Sequence, residues 1–395
     1  LRCWRSQSVM ENFVLYNPVR ILFGKGQTAN IDGQIPTDAR VLVTYGGGSI
    51  LHNGVLNEVR TALGARHVVL FGGIEPNPHY ETLIKALPII EREGIDFLLA
   101  VGGGSVIDGT KFIAAAACFP GEDKWDLIRH REENPVQAAL PLGAVLTISA
   151  TGSEMNSAAV VSKAETQEKF GLHSDLLFPR FSVVDPAHTL SLPMRQVANG
   201  VVDSFVHVVE QYLTYPVGAM VQDEFAEGLL RTLVDIGPRI MADPSDVDLR
   251  ANLAMAAMLA LNGLIGCGVP SDWATHRIGH EITALFGLDH ALTLAIVLPH
   301  LLRDQQVYKR GKLVQCGERV FGITAGSPEE RANATIARIE QFLQQMMGAI
   351  RLRDYGITLD DASEIWRRFE ARNWHLGERG NIDGKAVQRI LTAAL

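Results

Sequence analysis

The sequence predicts an α/β N-terminal dinucleotide-binding domain, with a parallel, Rossmann-like sheet, followed by an all-α C-terminal domain. Three observations carry that prediction: short uninterrupted apolar runs through the first half, helical stretches between them, and helical patterning alone beyond about residue 190. Strands covered on both faces of a parallel sheet read as continuous apolar runs. Alternation of such runs with helices marks a doubly wound sheet.

Taken in order, residues 1–9 carry Arg2 and Arg5 but no apolar stretch, and read as an N-terminal extension, not a secretory signal. Val41–Tyr45 is the first strand, followed by a helix over Asn53–Leu63. The strand His67–Phe71, the helix Tyr80–Glu93, the strand Phe97–Val101 and the helix Val106–Cys118 come next. Ala144–Ile148 and Phe181–Val184 complete five strands. The pattern changes near Asp185-Pro186 and Leu192-Pro193, so the α/β domain is expected over 10–190 and a helical, metal-binding domain over 191–395. Helices are expected there at Gln196–Leu213, Val221–Ile236, Leu249–Leu264 and Ala332–Met347. Ala251–Pro270 has no charged residue, but its asparagines, its glycines and the charged segment after it indicate a buried helix, not a membrane span.

Bulk properties narrow the class. Across 395 residues, 47% are hydrophobic and 20% charged, with a net charge of -8 and no basic stripe, which sets nucleic-acid binding aside. Cys3, Cys118, Cys267 and Cys316 are scattered and form no CxxC pair. That excludes a disulfide framework and a thiolate zinc site, and points to a reducing, cytoplasmic setting.

Four motifs carry chemistry. Gly102-Gly103-Gly104-Ser105, with Asp108, follows a strand and opens a helix. Glycines let backbone N–H groups approach a pyrophosphate, and the helix N-terminus favours negative charge. Ser105 and Asp108 also have capping-box spacing, a purely local alternative. Gly46-Gly47-Gly48-Ser49 ends another strand, where a carboxylate would be expected to meet the ribose of NAD; its absence favours the 2′-phosphate of NADP. Thr147–Glu154 ends a third strand with small hydroxyl residues, again with capping-box spacing at Thr151 and Glu154. Finally, Asp203 and His207 stand four apart in a helical stretch, as do His276 and His280, with His290 ten residues further on. One carboxylate and two or three imidazoles suit a divalent cation. His173, His188 and His300 read as structural.

At these residues the chain resembles the iron-containing (group III) alcohol dehydrogenases, over essentially all of 10–395, and within them the NADPH-dependent aldehyde reductase or butanol dehydrogenase branch. Ile21–Gly26, Glu75-Pro76-Asn77-Pro78, Gly102–Asp108, Thr147–Glu154 and 276–290 carry the resemblance, in the family's order. It implies a dehydroquinate synthase-like architecture with a cleft between domains. It implies metal ligands at Asp203, His207, His276 and His290, and places His280 near the nicotinamide as a catalytic candidate. Asn77, Thr147, Thr151 and Lys169 become cofactor contacts, beside Gly46–Ser49, Gly102–Ser105 and Asp108. A homodimer is the family-based expectation.

The expected activity is interconversion of short-chain aldehydes and primary alcohols with NADP(H), a Zn or Fe(II) ion polarising the carbonyl as a Lewis acid. A dehydroquinate synthase-like lyase, a glycerol dehydrogenase-type oxidoreductase and a non-catalytic metal- and nucleotide-binding protein are the alternatives. A lyase acting on a phosphorylated sugar acid would need a basic cluster, and no such cluster adjoins the histidine segment.

Overall fold

The computed structural model describes residues 9–395, so the expected extension lies, save for Val9, outside the described residues. They divide into two compact units, one of residues 17–200 with 240–262, the other of the rest.

The first unit is built on six parallel strands: β1 (Arg20–Phe23), β2 (Arg40–Thr44), β3 (His67–Phe71), β4 (Phe97–Gly102), β5 (Leu142–Leu146) and β8 (Phe181–Val184). Their order is β1-β8-β5-β4-β2-β3. Two more strands, β6 (Ala158–Lys163) and β7 (Glu168–His173), form a separate antiparallel hairpin. The five expected strands are present, and β4 and β5 are buried along their whole length, as their unbroken apolar runs require. The fourth expected strand begins and ends two residues earlier than its apolar run, at Leu142 and Leu146. Val41, Val43, Leu99, Val101, Val145 and Val183 share one core cluster with Val59 and Leu63 of the helix Val55–Leu63.

The sheet's order determines where a ligand sits. From β2 the chain steps outward to β3, then returns past β2 to β4 and continues to β5. The direction of winding therefore reverses between β2 and β4, which are direct neighbours. In open α/β sheets, ligands bind outside the strand C-termini at such a switch point. The Gly46–Ser49 loop follows β2 there and the Gly102–Ser105 loop follows β4.

Two local differences from the sequence reading stand out. The stretch Tyr80–Glu93 is broken into Tyr80–Leu83, a 3-10 turn at Ile84–Ala86 and Leu87–Glu93. Pro88 lacks the N–H that would continue an α-helix across that point. The helix expected at Leu249–Leu264 is Val247–Ala260, and it groups with the sheet, not with the helical unit. Its Arg250 donates to the carbonyl of Thr189 at 3.1 Å, and the carbonyl of Ala257 lies against Gly152. Residues 240–262 thus group with the sheet by their packing. No helix among the described residues is long and apolar enough to cross a membrane.

The second unit is helical, with no strand among its described residues beyond an isolated bridge between Leu376 and Ile382. The helix Met194–Tyr212 enters it, and Ala274–Phe286 and His290–Asp304 pack against each other within it.

Candidate metal centre and nucleotide loops

The two glycine-rich loops follow adjacent strands. Gly103, in extended conformation, caps the helix Gly104–Cys118 without any side-chain cap bond. The capping role open to Ser105 and Asp108 is therefore not the one they play. Ser105 Oγ instead accepts the N–H of Asn77 at 3.2 Å, and Asn77 Oδ1 accepts Lys169 Nζ at 2.8 Å. Asn77 takes up a left-handed φ of 56° in doing so. Lys169, on β7, is thereby brought to the glycine loop. Thr147 donates its N–H to the carbonyl of Gly102 at 2.9 Å, which seats the β5 loop beside that of β4.

Close approach explains the glycines. A Cβ on Gly104 would stand 2.3 Å from Thr151 Oγ1, and one on Gly103 would stand 2.9 Å from Ile148 Cβ. Around Gly47 a Cβ would meet nothing within 4 Å, whereas one on Gly46 would stand 3.2 Å from the carbonyl of Ile74. The N–H groups of Val106 and Ile107 close on the carbonyl of Gly103, and the positive end of the helix dipole lies at the glycine loop.

Asp108, expected at the cofactor, is held by the protein itself. In the fold both its oxygens are engaged by protein: Oδ1 accepts Ser153 Oγ at 2.6 Å and Oδ2 accepts the N–H of Val160 at 3.0 Å. Beneath them Lys111, fully buried, donates to Ser153 O, Ser153 Oγ, Asn156 O, Asn156 Oδ1 and Ala158 O, all within 3.0 Å. Burial pulls the Lys111 ammonium down to about 8, against the pull of Asp108 and Glu154. Glu154 is fully buried with neither oxygen hydrogen-bonded, and burial pushes its carboxyl up to about 7. This interior network, which sequence spacing does not show, ties the turn after Thr151 to the helix behind the glycine loop.

The second constellation belongs to the helical unit. Asp203 and His207 lie one turn apart on the helix Met194–Tyr212; His276 lies in the first turn of Ala274–Phe286, and His290 begins His290–Asp304. Asp203 Oδ1 is 3.6 Å from Nε2 of each of His207, His276 and His290. Donors held about 2.1 Å from a central cation at tetrahedral angles stand about 3.4 Å apart, so these three separations suit a single small cation. Asp203, His276 and His290 offer donors that all lie within 4.8 Å of one another. His207 falls outside that mutual triad, yet its distance to Asp203 is the same and its ring stacks on His276 at 4.7 Å and 14°. Asp203 Oδ1 and His276 Nε2 are both buried without a hydrogen-bond partner, which is what ligand atoms awaiting a cation look like.

Charge supports this arrangement. Burial would raise the Asp203 carboxyl, but His207, then His276 and His290, hold it well below the usual carboxylate range. Burial also pushes His207 down to about 4, leaving the neutral imidazole a ligand needs. Burial would lower His276 too, but the Glu210 and Asp203 carboxylates together carry it up to about 9. Glu210 bonds His276 Nδ1 directly and escapes the sequence reading; its signal is a third position, seven residues after Asp203, on the same helix face. His280 lies near the centre, its ring 5.2 Å from that of His290. The histidines read as structural have protein partners: His173 with Ser157, His188 with Glu58 and His300 with Arg351.

Residues 18–186 match the family model described as iron-containing alcohol dehydrogenase, and residues 197–395 match the C-terminal model of the same family. The chain belongs to the iron-containing alcohol dehydrogenase family. It is 52% identical over 387 residues to the NADPH-dependent aldehyde reductase YqhD of Escherichia coli, covering 98% of this chain and 100% of that protein. It is 38% identical to the probable NADH-dependent butanol dehydrogenase 1 of Bacillus subtilis, covering 98% and 100%. Among solved structures, that of E. coli K-12 YqhD superposes with a TM-score of 0.96 at 51% identity, covering 98% and 100%. The NADH-dependent butanol dehydrogenase A of Thermotoga maritima gives 0.92 at 34% identity, covering 98% and 99%.

Proposed function

We propose that the chain is a metal- and NADP(H)-dependent alcohol dehydrogenase that works as an aldehyde reductase on short-chain aldehydes. The observation that carries this reading is Asp203 Oδ1 standing 3.6 Å from three imidazole nitrogens. Asp203, His207, His276 and His290 would hold one divalent ion, Zn or Fe(II), which supplies a Lewis acid toward a carbonyl oxygen. Gly102–Ser105, Thr147 and Thr151 would seat the pyrophosphate side of the cofactor, and Asn77 would hold Lys169 toward its ribose. Asp108, held by Ser153 and Val160, is proposed beside them as a further cofactor residue. His280 is assigned to proton delivery beside the centre.

The relatives differ in the coenzyme their names carry, so the choice of NADP(H) rests on this chain's own loop. Gly46–Ser49 contains no carboxylate, and the space around Gly47 is open to a 2′-phosphate. A homodimer is proposed as well, supported by the exposed apolar residues Phe13, Val14, Leu15 and Tyr16, with Val14 92% exposed.

The test is NADPH oxidation with butanal, followed at the nicotinamide absorbance, in metal-replete and metal-stripped protein. Oxidation in the first and none in the second is expected. His276→Ala is expected to lose metal and activity together, and a variant that keeps both removes His276 from the ligand set.

A further inference from the structure

Glu210 is 1% exposed and every acceptor it owns is committed to one short segment. Its Oε2 meets His276 Nδ1, its Oε1 accepts the N–H of Thr275 at 2.6 Å, and its backbone carbonyl accepts the N–H of Asp272 at 2.8 Å. Between those anchor points Trp273 is held at φ 57°, a left-handed conformation that a bulky side chain rarely adopts. The Trp273 ring then packs edge-on to His276 at 5.4 Å and to His207 at 6.3 Å. Asp272 is in turn fixed by Lys309, whose Nζ lies 2.8 Å from Asp272 Oδ2, Glu378 Oε2 and the carbonyl of Leu213.

The helix Ala274–Phe286 receives no side-chain cap from its own N-cap residue, Trp273. Glu210 supplies that cap from another helix and uses its second oxygen on the imidazole one residue further. An imidazole ligates through the nitrogen that carries no hydrogen, and the partner of the other nitrogen decides which that is. An acceptor on Nδ1 fixes the hydrogen there and turns the lone pair of Nε2 toward Asp203 Oδ1.

We propose that Glu210 is the positioning residue of the cation centre: it fixes the tautomer and the seat of His276, and thereby sets how tightly the ion is held. This rests on the metal-centre reading above. A purely structural capping role would lower the stability of the metal-free protein and leave the affinity of the folded protein for metal unchanged.

The experiment measures zinc affinity of the full metal-free chain by competition with a chromophoric chelator, for wild type, Glu210→Gln and Glu210→Ala, beside the urea midpoint of each metal-free protein. Gln offers one acceptor where two donors wait, so zinc affinity is expected to fall about 10- to 100-fold in Glu210→Gln, and at least as far in Glu210→Ala. Zinc affinity within twofold of wild type in folded Glu210→Gln overturns the proposal. Nitrogen-15 histidine spectra of the zinc-loaded wild type, with His276 assigned by substitution, give a second readout that does not depend on a Glu210 variant folding. Hydrogen on Nδ1 is expected, and hydrogen on Nε2 overturns the proposal. A wild type that takes up no zinc or iron overturns the metal-centre reading instead, so the two failures are distinct.

Discussion

Gly104→Ala tests the nucleotide loop at its tightest point. The added Cβ would lie 2.3 Å from Thr151 Oγ1, 2.4 Å from its Cγ2 and 2.8 Å from its Cβ, where carbon contacts normally begin near about 3.5 Å. Separation has to grow by about 1 Å. The Thr151 turn is poorly placed to yield, because Thr151 Oγ1 accepts the N–H of Ser153 and Ser153 is tied to both Lys111 and Asp108. Overpacking of this kind costs about 1–3 kcal/mol. A free protein relieves it by letting the loops part, and the cofactor then has to bring them back. NADPH affinity is therefore expected to fall about 10- to 100-fold, read by nicotinamide fluorescence titration. Adding Thr151→Ala removes the two closest atoms and should restore part of the affinity. Gly311→Ala, whose Cβ would meet nothing within 4 Å, serves as the control and should bind as wild type. Wild-type affinity in folded Gly104→Ala would refute the assignment of this loop to the cofactor.

Three further outcomes follow from the same geometry. Glu154 has its folded-state carboxyl pushed up to about 7 from 4.5, so its contribution to stability is intact below pH 4.5 and is lost as pH rises to 7. Glu154→Gln should therefore gain on wild type by up to about 3 kcal/mol between pH 5 and pH 8 in urea unfolding, and a gap that does not change with pH would contradict the burial argument. Lys111→Met leaves five acceptors without their ammonium and should cost about 3–5 kcal/mol in the same assay, whereas a loss under 1 kcal/mol would show the network to be dispensable. His280→Asn should lower kcat about 100-fold while zinc content stays at the wild-type level, and an unchanged kcat removes it from proton delivery.

The sequence is legible where burial acts on both faces of a strand. β2, β4, β5 and β8 announce themselves as apolar runs because they are buried on both faces, and β3, at the sheet edge and only half-buried, is legible from its apolar run alone. β1 has four residues, none fully buried, and β6–β7 alternate more weakly, so neither stands out from loop sequence. The cation ligands are legible because helical spacing puts Asp203 with His207 and His276 with His280 without help from the fold. Asp108 shows the opposite: its spacing to Ser105 suits a cap, and tertiary partners at Ser153 and Val160 claim it. Glu210 shares a helix face with Asp203 and His207, yet its role is hidden for the same reason. A glutamate on a helix reads as a surface residue until a distant segment, here 272–276, arrives to use it.

Transfer of deuterium tests the central claim most directly. Metal-loaded protein given butanal and NADPH carrying two deuteriums at the nicotinamide C4 position should yield butanol with one deuterium on its carbinol carbon, and the same protein stripped of metal should yield none. Unlabelled butanol, or equal labelling with and without metal, would contradict the account.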